Sequence, residues 1–161
     1  MDWLSPLVAL TGVLLGAGAA ALADHRRWRR ESVTRLLELR TALYAEYLVA
    51  LENTGQDLLR VLRTHPAADR AEAAETAFAG SGLGAVRQRI HVLAPLDVVH
   101  AANVVFRGLR HARDYVASAD RQDGQGLRGM KDEVGTLRDG FQQAVRDDVR
   151  GLLADRASWS R

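Results

Sequence analysis

Apolar and polar positions along this chain change rhythm once, near residue 24. Residues 3–23, WLSPLVALTGVLLGAGAAALA, carry no charge. After Glu31 the apolar positions return at steps of three and four: Val33, Leu36, Leu37, Leu43, Tyr44, Tyr47, Leu48, Leu51, Leu58, Leu59 and Leu62. Leu37, Tyr44, Leu51 and Leu58 are each one heptad apart, so the pattern predicts one long amphipathic helix over about residues 31–64. His65-Pro66 ends it, because the residue before a proline is pushed out of the helical region.

The remaining pattern predicts three more helices, the first of them in two pieces. PAADRAEAAETAF, residues 66–78, is rich in helix formers with proline in the first turn. Gly80-Ser-Gly-Leu-Gly84 predicts a break, followed by a second helical piece over 84–93. VRQRIHVL alternates like a strand, but a lone strand would have no partner here, so helix is the better reading. Ala94-Pro95 opens the next helix, whose stripe is Val98, Ala102, Val105, Leu109, Ala112 and Val116. Asp97, His100, Arg107, Arg110 and Arg113 lie off that stripe. Asp123-Gly-Gln-Gly126 predicts a turn before a last helix with the stripe Met130, Val134, Leu137, Phe141, Val145, Val149 and Leu152. Gly135, Gly140 and Gly151 weaken that helix, so packing must hold it. Residues 32–156 are thus expected to form an antiparallel four-helix bundle with its second helix broken near 80–84, and 157–161 a frayed tail. The fold class is all-α.

The uncharged run is expected to be a transmembrane anchor over residues 1–24. Its 21 residues would reach roughly 31 Å as a helix, the thickness of a bilayer's hydrocarbon core. Pro6 fits the first turn, with Ser5 or Asp2 as cap, and Trp3 and Trp28 bracket the run as interfacial indoles do. Arg26, Arg27, Arg29 and Arg30 follow in the juxtamembrane segment 25–31. They predict a single pass with the N-terminus outside and the bundle cytoplasmic, and a contact with anionic lipid headgroups. Ala21-Leu22-Ala23 also resembles the cleavage site of an export signal, which would make the chain an exported helical protein. Against that reading, the run is longer than a signal core and no basic residue precedes Arg26. Gly12, Gly16 and Ala20 repeat at four-residue spacing and offer a face for helix pairing, hence a homodimer.

Composition narrows the chemistry. There is no cysteine, which excludes disulfides and thiolate sites. The formal charge of +2 is carried by the basic junction, leaving the folded part without the excess a nucleic-acid-binding face needs. The five histidines, His25, His65, His91, His100 and His111, form no H-x-x-x-H or E-x-x-H pair, and His100 and His111 are about 16 Å apart along one helix. No metal or other cofactor is expected. GSGLG lacks both the P-loop ending and the dinucleotide spacing. Glu72 with Glu75, and Asp147 with Asp148, read as solvent-facing ion-pairing acids. The row Arg107, Arg110, Arg113 is a candidate contact for an anion or an acidic partner, and Tyr44 and Tyr47 read as core.

RTALYAEYLVALE, with Arg40, Tyr44 and Tyr47, is followed much later by IHVLAPLDVVHAANVV, with Leu93, Ala94, Pro95, Val98, Ala101 and Ala102. This combination resembles small actinobacterial-type proteins that carry one N-terminal span and a cytoplasmic helical domain, over most of residues 1–120. The resemblance implies an architecture and no catalytic residue. The function expected is a non-enzymatic, membrane-anchored scaffold or interaction module with a protein partner. A bundle that binds a lipid or small apolar ligand is the alternative, motivated by the glycine-weakened helices.

Overall fold

A computed structural model of the chain describes the backbone of residues 4–118 and 124–158, and side chains at 28, 31–118, 124–155 and 157. Helix α1, Leu4–Thr64, is unbroken over 61 residues, about 90 Å. No glycine or proline occurs from residue 19 to residue 54, so nothing in that stretch opposes helix propagation. At its end the His65 N–H still reaches Val61 O at 3.0 Å. Pro66 is extended and leads into a 3-10 turn, Ala67–Asp69. Helix α2, Arg70–Gly80, and helix α3, Leu83–Leu93, are the two pieces of the broken second helix. Ala94, extended ahead of Pro95, separates α3 from α4, Leu96–Ser118. Helix α5 is Gly124–Ser158. Among the described residues there is no strand, so VRQRIHVL is helical.

The break between α2 and α3 is built from two residues. The Ser81 hydroxyl donates to Phe78 O at 2.7 Å and accepts from the Leu83 N–H at 3.3 Å. Gly82 then takes φ +70, the only positive φ among the described residues, a conformation that glycine reaches without a Cβ clash.

Cross-helix contacts give the directions. Arg40 of α1 meets Leu93 of α3 while Glu46 meets Arg89, and Arg40 meets Asp148 of α5 while Glu52 meets Arg138. Numbers rise on α1 as they fall on α3 and α5, so both run antiparallel to it. The stripe foreseen on α4 is its buried face: Val98, Ala102, Val105, Leu109, Ala112 and Val116 are all buried. The core forms two clusters stacked along the bundle. One gathers Leu43, Tyr44, Tyr47, Leu51, Leu83, Ile90, Leu109 and Phe141. The other gathers Leu58, Val61, Leu62, Ala74, Ala112 and Val116. At Gly108 a Cβ would lie 2.3 Å from Leu137 Cδ1, so α4 and α5 approach closely there.

Several boundaries differ from the sequence reading. Gly124 and Gly126 are helical, so the turn is not Asp123–Gly126, and residues 119–123 lie outside the described set. Helix α5 reaches Ser158, which shortens the foreseen tail 157–161 to residues outside the description. Pro66 caps a 3-10 turn and does not open the α-helix directly. At its N-terminal end α5 includes two glycines of poor propensity, Gly124 and Gly126, because propagation adds one i→i−4 bond per residue to a helix already formed.

The uncharged run from Leu4, the basic junction and the first bundle helix are one helix. Among the described residues no helix is long and apolar enough to cross a membrane. That set contains no side chain of the uncharged run: Trp3 lies outside it altogether, and Gly12, Gly16, Ala20, Arg26, Arg27, Arg29 and Arg30 are described in backbone only. Trp28 is exposed.

The glycines divide into two kinds, with opposite consequences. Gly82→Ala is expected to lower stability by about 1 kcal/mol through its left-handed φ. Gly140→Ala, where a Cβ would meet nothing within 4 Å, is expected to raise it by up to about 1 kcal/mol. Urea unfolding midpoints followed by circular dichroism check both signs.

Candidate functional site

A polar group that joins three helices lies at the base of the bundle. Arg40 Nε donates to Leu93 O at 2.7 Å, and its Nη1 donates to Asp148 Oδ1 at 2.8 Å. The other oxygen of the same carboxylate accepts from the Tyr44 hydroxyl at 2.6 Å. Side-chain exposure is 17% for Arg40 and 7% for Asp148. One guanidinium and one carboxylate thereby clasp α1 to the end of α3 and to α5. A turn higher, Tyr47 donates to Ala102 O at 2.8 Å, and Phe141 lies against both tyrosine rings, with centroids 6.3 and 4.9 Å away.

Asp148 was read from sequence as a solvent-facing acid beside Asp147. It is instead buried, because its position on α5 turns it toward α1, while Asp147 stays exposed with Arg150 and Gln143. Burial holds both tyrosine hydroxyls protonated. Tyr44 is raised above the ordinary tyrosine value of 10 by loss of water and by the carboxylate that accepts its hydrogen bond, against a smaller opposing pull from Arg40. Tyr47 is raised by loss of water, opposed by Arg87.

The arginine row does not act as a unit. Arg107 and Arg110 are exposed. Arg113 is drawn inward to 18% exposure, pairs with Glu75 and Asp114, and sits 5.4 Å from the Phe78 ring centroid. Phe78 packs against Phe106 with its ring tilted, centroids 5.4 Å apart, and Arg87 lies 4.1 Å from the Phe106 ring centroid. A three-residue spacing drifts around a helix, so Arg113 reaches the α2 side that Arg107 does not. Glu75 is therefore tied across helices to Arg113, while Glu72 is exposed. His91 shares Asn103 Oδ1 with Arg87.

A second feature was not located from sequence: a cleft of about 170 Å³ between α1, α4 and α5, floored by Leu51, Leu58, Leu109, Ala112, Met130 and Val134. Among the described residues no group of three His, Cys, Asp or Glu side chains could hold a metal ion. Comparison with protein-family models, with curated proteins and with solved structures finds no match.

The clasp and the tyrosines each generate a measurement. Arg40→Met and Asp148→Asn should each cost about 2–4 kcal/mol in chemical denaturation, since either leaves a buried polar partner unmatched. The double variant should cost clearly less than their sum, the signature of direct coupling. In alkali, the unfolded chain loses its tyrosine protons near pH 10 while folded Tyr44 and Tyr47 keep theirs. Stability should therefore be full below pH 10 and fall above it by about 1.4 kcal/mol per pH unit for each tyrosine. A pH series of unfolding midpoints on wild type and Tyr47→Phe checks the sign, the variant falling less steeply.

Proposed function

We propose that this chain is a single-span membrane protein whose four-helix bundle is held on the cytoplasmic face as a non-enzymatic interaction module. The observation that carries the reading is the continuity of α1. An uncharged run of bilayer length passes into the first bundle helix without a break, with four arginines at the junction. In this reading the arginines stop transfer and lie among anionic headgroups, with Trp3 and Trp28 at the two interfaces. Gly12, Gly16 and Ala20 offer a pairing face for a homodimer. The likeness to small actinobacterial-type anchored proteins supports the same architecture, and its two motif segments, around Arg40 and around Leu93–Ala102, are in hydrogen-bonded contact at the base of the bundle. Binding of a small apolar ligand within the bundle is the second reading, favoured by the cleft between α1, α4 and α5.

Reporter fusions at residues 2 and 161 in a bacterial host test the proposal. A cytoplasmic C-terminus with an external N-terminus is the expected result. An exported C-terminus would overturn it and direct attention to cleavage after Ala23, and a chain recovered wholly without membranes would also overturn it.

A further inference from the structure

The cleft between α1, α4 and α5 lies where the two core clusters adjoin, with Val134 on its floor packed against both. Leu51 and Leu109 on its wall belong to one cluster, and Leu58 and Ala112 to the other. Two glycines keep it open. Gly55 of α1 and Gly135 of α5 both line it, and a Cβ on either would meet no atom within 4 Å. Neither has a positive φ, so neither glycine is required by backbone conformation or by close packing, and each weakens its helix relative to alanine. Their structural effect is the open space itself.

The cleft has an apolar floor and a charged rim. Its volume of about 170 Å³ is close to that of an apolar cavity that holds one benzene, so it takes an aliphatic group of about six carbons. The rim carries Glu52 and Gln56 on α1, and Lys131 and Arg138 on α5. Glu52 is already engaged, accepting from Gln56 Nε2 at 3.0 Å and lying 3.9 Å from Arg138 Nη1. Arg138 also reaches Asp139 at 3.5 Å, yet its Nε is buried and has no hydrogen-bond partner. A buried donor without an acceptor is costly, and an anionic acceptor removes that cost best. Lys131 stands two helical turns away on the same face of α5 and leaves the rim with net positive charge.

We propose that this cleft binds a short aliphatic carboxylate, with its hydrocarbon tail between Gly55 and Gly135 and its carboxylate on Arg138. The proposal deepens the small-ligand reading above and does not depend on whether α1 crosses a membrane. Bound ligand would span the junction of the two core clusters and tie α5 to α1 midway along the bundle, about three turns or more beyond the Arg40 clasp.

Isothermal titration of the full-length chain in lipid nanodiscs with butanoate, hexanoate and octanoate tests it, with hexylamine and empty nanodiscs as controls. Affinity should rise about fourfold per methylene from four to six carbons. It should then level off at eight, because the added methylenes stay in water. Hexylamine should not bind. Gly135→Leu should fill the cleft and abolish hexanoate binding while leaving the helical signal intact. Arg138→Gln should weaken hexanoate about tenfold. Absence of hexanoate binding would overturn the proposal, as would equal binding of hexylamine, or affinity still rising steeply to octanoate. Binding retained in Gly135→Leu would overturn it too. None of these failures would bear on the topology fusions, which test the anchor alone.

Discussion

Arg40 is the point on which the arrangement of this bundle depends. The carbonyl of Leu93 ends α3, where the last turn has acceptors without intrahelical donors and the helix dipole is negative. A guanidinium from α1 satisfies it, and the same group neutralises Asp148, which in turn takes the Tyr44 hydroxyl. Removing any one member leaves the others mismatched in a part-buried position. The clasp also fixes rotation: with Arg40 and Tyr44 turned toward α5, Tyr47 one turn later must face α4, where Ala102 O accepts its hydroxyl. Phe141, two turns before Asp148 on α5, then closes against both tyrosine rings.

This places the clasped end of the bundle on the side of the uncharged run. The clasp is ten residues beyond Arg30 on a continuous helix, about 15 Å along its axis. Farther along, the core divides into two clusters with a cleft at their junction. Near the clasp the α3–α4 corner leaves Val92 and Leu96 exposed at 82% and 84%.

Much of the fold was legible because helices write their faces into sequence. The α4 stripe Val98 to Val116 is buried as a set, and His65-Pro66, Gly80–Gly84 and Ala94-Pro95 each mark a real boundary. The end of α1 was read at the correct residue. Burial of Asp148 was not legible, because Asp147 and Asp148 look alike in sequence and only the register of α5 against α1 separates them. Arg113 escaped for the same reason: its departure from the row with Arg107 and Arg110 depends on Phe78 and Glu75 of a helix more than thirty residues earlier. A signal for the clasp did exist in Arg40 and Tyr44, spaced i,i+4 on one face of a helix, but their partner could not be named from spacing. The cleft was foreshadowed only as glycine weakness in the broken second helix and in α5, since Gly55 and Gly135 come to line one cleft through packing.

The continuity of α1 is the central claim, because it alone joins the uncharged run to the clasped bundle. Since the chain has no cysteine, nitroxide labels can be placed uniquely at Trp28→Cys and Asn53→Cys, both exposed positions on α1. Pulsed dipolar spectroscopy on the full-length chain in nanodiscs, diluted with an excess of unlabelled chain so that only distances within one chain are read, should give one narrow distance near 38 Å, the rise of 25 helical residues. A shorter or broad distribution would mean that the helix breaks between the junction and the bundle, contradicting the account.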